Sequence, residues 1–379
     1  MRVKCMQDNL AKGLATVGRA VAARSTLPVL SNILIETDDS RLKLSATNLE
    51  MGISCWIGAR VEEPGAVTVP ARLLSDFVNS LPHEQVSLEL DDRTQTLTVH
   101  ADRFKADIKG IDATDFPILP TVDQGTRLTL DPEILREMIG QVTIAAATDE
   151  SRPILQGVLT TMDSDLGRMT LAAADGFRLS VRDADLDAPL DGSVTVIVPA
   201  RALNELGRIS ADEDKPIEVA ITDGRNQIMF SMSDVHLVSQ LLDGSFPDYE
   251  KIIPDGFATR AVVNTKALHE AVKVAGYFAR DAANIVHLIL RPGTETEPGV
   301  VVVTAQAAEV GENETELEAA IEGEPIEIAF NAKYLLDILS AVGSDQIVIE
   351  LGTASSPGVF RPVDATEFTH VIMPMHIGR

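Results

Sequence analysis

The stretch Val69-Pro70-Ala71-Arg72-Leu73 decides the fold of this chain of 379 residues, because it occurs more than once. It returns as Val198-Pro199-Ala200-Arg201, about 130 residues later, and in weaker form as Phe330-Asn331-Ala332-Lys333 after a similar interval. The spacing is close to one third of the chain. Such a regular recurrence indicates that one sequence unit has been repeated three times.

Two other markers recur with the same period. They are the apolar runs Val86–Leu90, Ile217–Ile221 and Ile347–Leu351, and the segments Leu27–Leu34, Arg152–Leu159 and Ala283–Ile289. A period near 130 residues is the size of a whole domain with its own core, whereas solenoid repeats are much shorter. We therefore predict three copies of one domain, at residues 1–125, 126–254 and 255–379.

Composition is that of an ordinary globular protein, with 45% hydrophobic and 23% charged residues. The N-terminal segment Met1–Asp8 lacks the apolar core of a signal peptide, and no stretch approaches about 18 uninterrupted apolar residues. We expect a cytoplasmic protein without membrane contact. Cys5 and Cys55 are the only cysteines, and their spacing predicts buried thiols with neither a disulfide framework nor a metal site.

The formal net charge of −25 argues at first against a nucleic-acid partner. Charges further apart than about 8 Å are screened at physiological salt, however, so the charge of a local face matters more than the total. The question is whether the basic residues gather on one surface.

Each third is expected to hold two helices among short strands. The first helix of each third follows from apolar residues at helical spacing: Leu10, Leu14, Val17 and Val21; Ile134, Leu135, Met138, Ile139 and Val142; Leu268, Val272 and Ala275. The second follows the repeated box: Leu73, Leu74, Phe77 and Val78; Leu203 and Leu206; Tyr334, Leu335, Ile338 and Leu339. Alternating runs between them predict strands, so the fold class is α+β, with two helices packed on antiparallel sheets in each domain.

Basic residues recur on these helices at intervals of seven, which places them on one helix face. The set comprises Lys12 with Arg19, Arg201 with Arg208, and Lys266 with Lys273 and Arg280, while Arg24, Arg72, Arg136 and Lys333 lie on or beside the same helices. Each pair alone is typical of a solvated helix face. Recurrence in three repeats of an acidic chain favours a surface that contacts phosphates without reading sequence.

The residues resemble one known family, the bacterial DNA polymerase III beta subunit, or sliding clamp. The resemblance runs the whole length and is carried by Thr26–Pro28, Asn48–Met51, Asp115–Pro117, Ala174–Leu179, Asp243–Tyr249 and Val371–Met375. It implies three similar domains per chain and a head-to-tail homodimer, a closed ring of six domains with helices lining the hole. Twelve helices each roughly 10 Å wide leave about 28 Å free inside, enough for a duplex.

The function that this resemblance implies is tethering. A ring that encloses DNA slides on weak phosphate contacts while it holds a polymerase near the primer end, and no chemistry or cofactor is required of it. Among the basic residues, Arg24 lies in a loop that matches the family's DNA contact. Asp149, Glu150, Pro153 and Ile154 depart from the family pattern in a second such loop.

The resemblance also implies a cleft between the second and third domains for short linear peptides of polymerases, the clamp loader and repair proteins. Its walls here would be Arg152, Leu155, Ala174, Gly176, Phe177, Arg178, Leu179, Pro247, Lys251, Ile252, Val371, Ile372, Met373, Pro374 and Met375. Ala174 and Phe177 replace the Thr and His common in the family, and His376–Arg379 extends the tail. The dimer interface would include Phe104, Tyr277 and Phe278.

Two other classes of protein remain open. An enzyme is disfavoured because the chain has no phosphate-binding loop, dinucleotide fingerprint, nucleophile elbow or zinc-protease motif, and its seven histidines are scattered. The segment Asp163–Asp175 lacks the Gly and Glu that a calcium loop needs, so no metal is expected. The second alternative is an acidic three-domain scaffold without nucleic acid, which would not be retained on circular DNA.

Overall fold

The computed structural model describes residues 1–22, 25–122, 125–186, 192–280, 282–307, 309 and 311–375. Each third contributes two α-helices, as the sequence predicts. They are α1 (Gln7–Val17), α2 (Ala71–Ser80), α3 (Pro132–Val142), α4 (Ala200–Ile209), α5 (Thr265–Ala279) and α6 (Ala332–Ala341). The repeated box therefore marks the start of α2, α4 and α6.

Antiparallel strands make up most of the remaining described residues. They are β1 (Arg2–Met6), β2 (Asn32–Asp38), β3 (Arg41–Thr47), β4 (Met51–Glu63), β5 (Ala66–Pro70), β6 (Gln85–Asp91), β7 (Thr96–Ala101), β8 (Phe104–Lys109), β9 (Thr126–Leu130), β10 (Gly157–Asp163), β11 (Arg168–Ala174), β12 (Arg178–Asp185), β13 (Val194–Pro199), β14 (Ile217–Ile221), β15 (Gln227–Ser231), β16 (Val235–Gln240), β17 (Thr259–Asn264), β18 (Ile285–Arg291), β19 (Gly299–Ala307), β20 (Gly311–Gly323), β21 (Ile326–Asn331), β22 (Gln346–Leu351), β23 (Gly358–Pro362) and β24 (Phe368–Ile372).

The chain forms two compact units, each built on one 12-stranded sheet. The first unit holds Met1–Glu133 and Glu205–Leu241, and its sheet runs β8-β7-β6-β1-β4-β16-β15-β14-β9, with β3, β2 and β5 joined beside β4. The second holds the described residues of Ile134–Asn204 and Leu242–Arg379, with strand order β13-β10-β11-β12-β24-β23-β22-β17-β20-β19-β18-β21. The middle third contributes to both units, so the predicted domain boundaries stay a prediction.

Strand pairing joins neighbouring thirds inside each unit. In the first unit β4 pairs with β16, with Cys55 opposite Val235. In the second unit β12 pairs with β24, with Arg178 opposite Ile372. Each junction is thus a continuous antiparallel ladder, and it uses equivalent strands of the repeat.

Helix packing follows the predicted apolar faces with three exceptions. Leu10, Leu14 and Val17 of α1 are buried, and Gly13 lets the helix approach β3 closely, since a Cβ there would lie 2.8 Å from Leu44. The helix prediction for Val21 is wrong, because residues 18–20 tighten into a 3₁₀ turn and Val21 is extended. Leu73 and Ile134 lie in α2 and α3 as the apolar spacing predicts, but their side chains are exposed and do not pack in the core.

Candidate functional site

The turn between β11 and β12 is held by one buried carboxylate. Asp175 Oδ1 accepts hydrogen bonds from the backbone N–H groups of Phe177 at 2.9 Å and Arg178 at 3.0 Å. Gly176 has φ +90°, a conformation that favours glycine, and a Cβ there would lie 2.9 Å from Arg152 Nη1. The turn leaves the Phe177 side chain 55% exposed. It therefore presents an aromatic ring to solvent on a rigid backbone.

Arg178 is a clamp between this turn and α6. Its Nε donates to Asp175 Oδ2 at 3.0 Å and its Nη1 donates to Asp337 Oδ2 at 2.5 Å. The guanidinium also stacks on Tyr334, 4.3 Å from the ring centroid. Because these contacts occupy the guanidinium on two sides, its main role in the folded chain is to fix the turn, and the position of its positive charge is thereby set.

Arg152 reaches the same turn from the segment before β10. Its Nη1 donates to the backbone carbonyl of Asp175 at 2.6 Å, and its side chain is half-buried. Two predicted cleft arginines thus converge on one carboxylate residue, which the sequence pattern did not single out. A hydrogen bond from a charged donor is about twice as strong as a neutral one, so both arginines stabilise the turn.

The C-terminal tail lies directly against this turn. Met373 N donates to Phe177 O at 2.8 Å, continuing the β12–β24 ladder, and Met375 N donates to Ala329 O at 2.8 Å. The structure therefore brings together the two segments that the sequence predicts as one site, although about 195 residues separate them.

The predicted cleft residues differ in exposure. Gly176, Phe177, Pro247, Lys251, Ile252 and Met373 are exposed, Arg152, Leu155, Arg178, Pro374 and Met375 are half-buried, and Ala174, Leu179, Val371 and Ile372 are buried. Ala174, Leu179 and Val371 pack with Phe246 and Tyr249 in one apolar cluster. Ile372 belongs to the core of the third repeat. The buried group supports the surface, and the exposed group is available for contact.

His370 lies in β24 next to this surface, and no motif in the sequence around it predicts a functional role. It is fully buried in β24, with Nδ1 2.6 Å from Ser180 Oγ. Burial, assisted by the positive charge of Arg178, lowers the pKa of His370 from 6.5 to about 3. The folded protein therefore keeps this imidazole neutral.

Because His370 is buried and neutral, we predict that the folded protein loses stability at acidic pH. Below its ordinary pKa of 6.5 the unfolded chain takes up a proton that the folded chain refuses until about pH 3, so stability falls over that window and is unaffected above it. At pH 5 the loss is about 2 kcal/mol, at about 1.4 kcal/mol per unit. Denaturant unfolding at pH 7 and pH 5 should show a smaller pH effect in His370→Asn, and an equal effect in both proteins would contradict the assignment.

Four of the predicted DNA-contacting cations form ion pairs with carboxylates. Lys12 pairs with Asp212 at 2.8 Å, Arg19 and Arg208 share Glu205 at 3.1 and 2.9 Å, and Arg72 pairs with Asp76 at 3.7 Å. The carboxylate of Asp212, hydrogen-bonded to Lys12, raises the pKa of that lysine. Exposed pairs of this kind contribute about 0–1 kcal/mol, so phosphates can displace them.

The other predicted cations are placed differently. Arg201, Lys266 and Lys273 are exposed, and among the residues that the structure describes their side chains make no hydrogen bond or ion pair. Arg280 stacks on Tyr277, 5.4 Å from the ring centroid, and Arg136 is half-buried. Arg24 lies outside the described residues.

The three predicted interface aromatics occupy one strand and one helix. Phe104 opens β8 and is partly exposed, and Tyr277 near the end of α5 is 52% exposed. Phe278 is half-buried against the core of the third repeat. Tyr277 and Phe104 thus offer apolar surface that the folded chain leaves uncovered.

Three further features concern the cysteines, metal binding and membrane-spanning helices. Cys5 and Cys55 are buried, and burial raises the pKa of their thiols to about 12 and about 11. In the described ranges no group of three or more His, Cys, Asp or Glu side chains could hold a metal ion. None of the helices described is long and apolar enough to cross a membrane.

Comparison with known proteins matches the whole chain to one family. Sequence models of the DNA polymerase III beta subunit match in order, the N-terminal domain at residues 1–120, the central domain at 129–248 and the C-terminal domain at 250–376. The chain belongs to the family of DNA polymerase III beta subunits, the beta sliding clamps. The beta sliding clamp of Synechocystis sp. is 34% identical over 398 residues and covers 100% of both chains. That of Bacillus subtilis is 29% identical and covers 99% of both.

Solved sliding clamps share the fold. The DNA polymerase sliding clamp of Bacillus subtilis superposes with a TM-score of 0.92 at 28% identity, and that of Pseudomonas aeruginosa with 0.88 at 29%, each covering 100% of both chains. The predicted α+β fold of three similar clamp domains is therefore confirmed. As a beta sliding clamp the protein is a non-catalytic processivity factor of DNA polymerase III, and the family implies DNA, the polymerase and a second copy as partners. The scaffold alternative is not favoured.

Proposed function

We propose that two copies of this chain close head to tail into a ring around duplex DNA. The ring tethers the replicative polymerase, the clamp loader and repair proteins through peptides bound at the surface formed by the Phe177 turn and Met373. The observation that carries this proposal is the pattern of free sheet edges. Because the proposed partners are replication and repair proteins that act on DNA, the proposed location is the cytoplasm.

The free edges follow from the repeat. The last strand of one third pairs with the fourth strand of the preceding third, as β16 does with β4 and β24 does with β12. In the same scheme β8 is equivalent to β16 and β24, and β20 is equivalent to β4 and β12. Within the described residues β8 pairs only with β7, while β20 pairs with β19 and, over its last residues, with β17. Among the described residues, each chain thus has two incompletely paired edge strands, β8 in the first unit and the first part of β20 in the second.

A second copy would satisfy both edges at once. Pairing β8 of one protomer with β20 of its partner gives two identical junctions related by a two-fold axis. The charges agree with this arrangement, since β8 carries Lys105 and Lys109 against a single carboxylate, Asp107, and β20 alternates glutamates at positions 312, 314, 316 and 318. An exposed edge strand is otherwise an aggregation hazard, so pairing also explains how such edges are tolerated.

Encirclement is tested by comparing retention of the protein on circular and on linear DNA. The dimer, loaded on a nicked circular duplex, should stay with the circle through a sizing column in moderate salt, because release requires ring opening. Cutting the circle with a restriction enzyme should release it, because a ring slides off an end. Retention on linear and circular DNA alike would refute encirclement, and a scaffold without nucleic acid would be retained on neither.

Residence on DNA should depend on the exposed, unpaired cations. We expect Arg201→Glu with Lys273→Glu to shorten residence on circular DNA, and each lost phosphate contact to reduce the salt slope by roughly 0.9. Lys12→Glu with Arg72→Glu is the matched comparison, and it should act less because Asp212 and Asp76 already neutralise those cations in part. Residence should be measured from 50 to 200 mM salt; if neither pair changes the slope, these residues form only a solvated face.

A further inference from the structure

The first unit contains a second copy of the turn that frames the peptide surface. Asn48 Oδ1 accepts hydrogen bonds from Glu50 N at 3.1 Å and Met51 N at 2.8 Å, as Asp175 does in the other turn. Asn48 N donates to Met51 O at 3.1 Å, which matches the 3.3 Å bond from Asp175 N to Arg178 O. The two turns therefore have the same hydrogen-bond pattern.

The strand beside this turn is equivalent as well. Gln240 N, at the end of β16, donates to Glu50 O at 2.8 Å, in the way that Met373 N donates to Phe177 O. Gln240 also donates from its side-chain Nε2 to Leu49 O at 2.9 Å. Position 240 thus stands in the first unit where Met373 stands in the second.

Between the turn, the end of β16 and the segment 117–120 lies an open cavity of about 510 Å³. Its rim carries two apolar side chains in solvent, Leu49, which is 48% exposed, and Ile118, which is 96% exposed. Leu49 has φ +77°, a left-handed conformation that costs about 1–3 kcal/mol for such a residue and is held by the turn. Gly52 lets Leu119 form the floor, since a Cβ there would lie 2.6 Å from Leu119 Cδ2.

The charge of this groove is opposite to that of the first surface. Glu50, exposed on the rim, replaces Phe177, and buried Met51 replaces Arg178, so the arginine clamp has no counterpart. The polar side chains on the walls are those of Thr47, Glu50, Gln227, Ser239 and Gln240, and among these lining residues Glu50 alone is charged. An apolar groove with a carboxylate at its rim, in a chain of net charge −25, favours an occupant with basic residues.

We propose that this groove is a second peptide-docking site, which takes an extended segment with a Leu, Ile or Phe anchor flanked by Lys or Arg. The inference rests on the proposed function, because it transfers the docking role from one turn to its repeat equivalent.

The test uses the full-length dimer and fluorescence polarisation with two labelled synthetic peptides. One carries Leu and Lys residues, and the other is neutral and ends in Leu-Phe. We expect the Leu-Lys peptide to bind with Kd in the tens of micromolar at low salt, and Leu49→Gly with Ile118→Ser to weaken it by at least about tenfold. Leu49→Gly suits the left-handed backbone, so this variant keeps its fold. Glu50→Gln should weaken the same peptide and flatten its salt dependence.

Two control variants separate this site from the first. Leu166→Ser removes an apolar side chain that is 71% exposed outside both sites, and it should change the binding of neither peptide. Phe177→Ser should weaken the Leu-Phe peptide only; if it does not, the proposed peptide surface fails while the second groove is judged on its own variants. The second groove is refuted if the Leu-Lys peptide does not bind, if Leu49→Gly with Ile118→Ser leaves its affinity unchanged, or if Phe177→Ser abolishes its binding.

Discussion

Replacing both Tyr277 and Phe278 by alanine is expected to turn the dimer into monomers at micromolar concentration. Tyr277 is half exposed at the end of α5, and aromatic residues at the centre of an interface commonly cost 2 kcal/mol or more each when truncated. Two such losses raise the dissociation constant by roughly 1,000-fold. Without a closed ring, retention on circular DNA should disappear as well, although the basic residues are untouched.

Sedimentation velocity over a range of concentrations measures this change directly. Phe278 also packs on the core of the third repeat, so Tyr277→Ala alone is needed to separate interface loss from lost stability. Phe257→Ala is the matched control, because this exposed aromatic in the same unit lies outside the proposed contact. A double variant that sediments as a dimer, like the control, would remove α5 from the interface.

The repeat explains why so much of the fold was predictable. Two copies of the Val-Pro-Ala-Arg box, its weaker third form and three copies of the apolar strands report the same domain three times, so errors in one copy are corrected by the others. Single positions were less certain, since Leu73 and Ile134 have apolar side chains but face solvent. The helical spacing of apolar residues alone cannot distinguish a core position from an exposed apolar position on the surface.

The division of the middle third between two units was beyond sequence analysis. Sequence periodicity marks where a repeat begins, whereas the units are defined by which strands pair. The ladders β4–β16 and β12–β24 join residues about 180 to 190 positions apart, and no local pattern announces such pairings. The same limit hid the ion pairs of Lys12 and Arg19, whose carboxylate partners also lie about 190 to 200 residues away.

The residues of the peptide surface were predicted from family resemblance, but the hydrogen bonds and ion pairs that hold them in place were not. Arg178 was expected to hold peptide groups, yet it is engaged by Asp175, Asp337 and Tyr334 within the folded chain. A charged residue in a sequence carries no sign of whether its partner is a ligand or another part of the protein. The hydrogen bonds of the Asn48 turn, likewise, revealed an equivalence that its different side chains conceal.

Removal of Met373–Arg379 is expected to abolish binding of a polymerase-tail peptide while leaving the dimer intact. The deletion takes away the exposed Met373, whose backbone N–H donates to Phe177 O, and the half-buried Pro374 and Met375 beside it. A short peptide bound with micromolar affinity gains only about 8 kcal/mol in total, mostly from one or two anchors, so loss of one wall suffices. Strand β24 ends at Ile372, which stays fully buried, so its ladder with β12 should persist.

Calorimetric titration of the peptide and sedimentation of the free protein measure the two consequences separately. Deletion of His376–Arg379 alone is the matched control, and because Met373, Pro374 and Met375 remain, it should retain binding. Met373→Ser tests the exposed thioether without shortening the chain. If the seven-residue truncation bound the peptide as tightly as the full chain, the Phe177 turn would have to act without the tail, and the anchor would be sought along Pro247 and Ile252 instead.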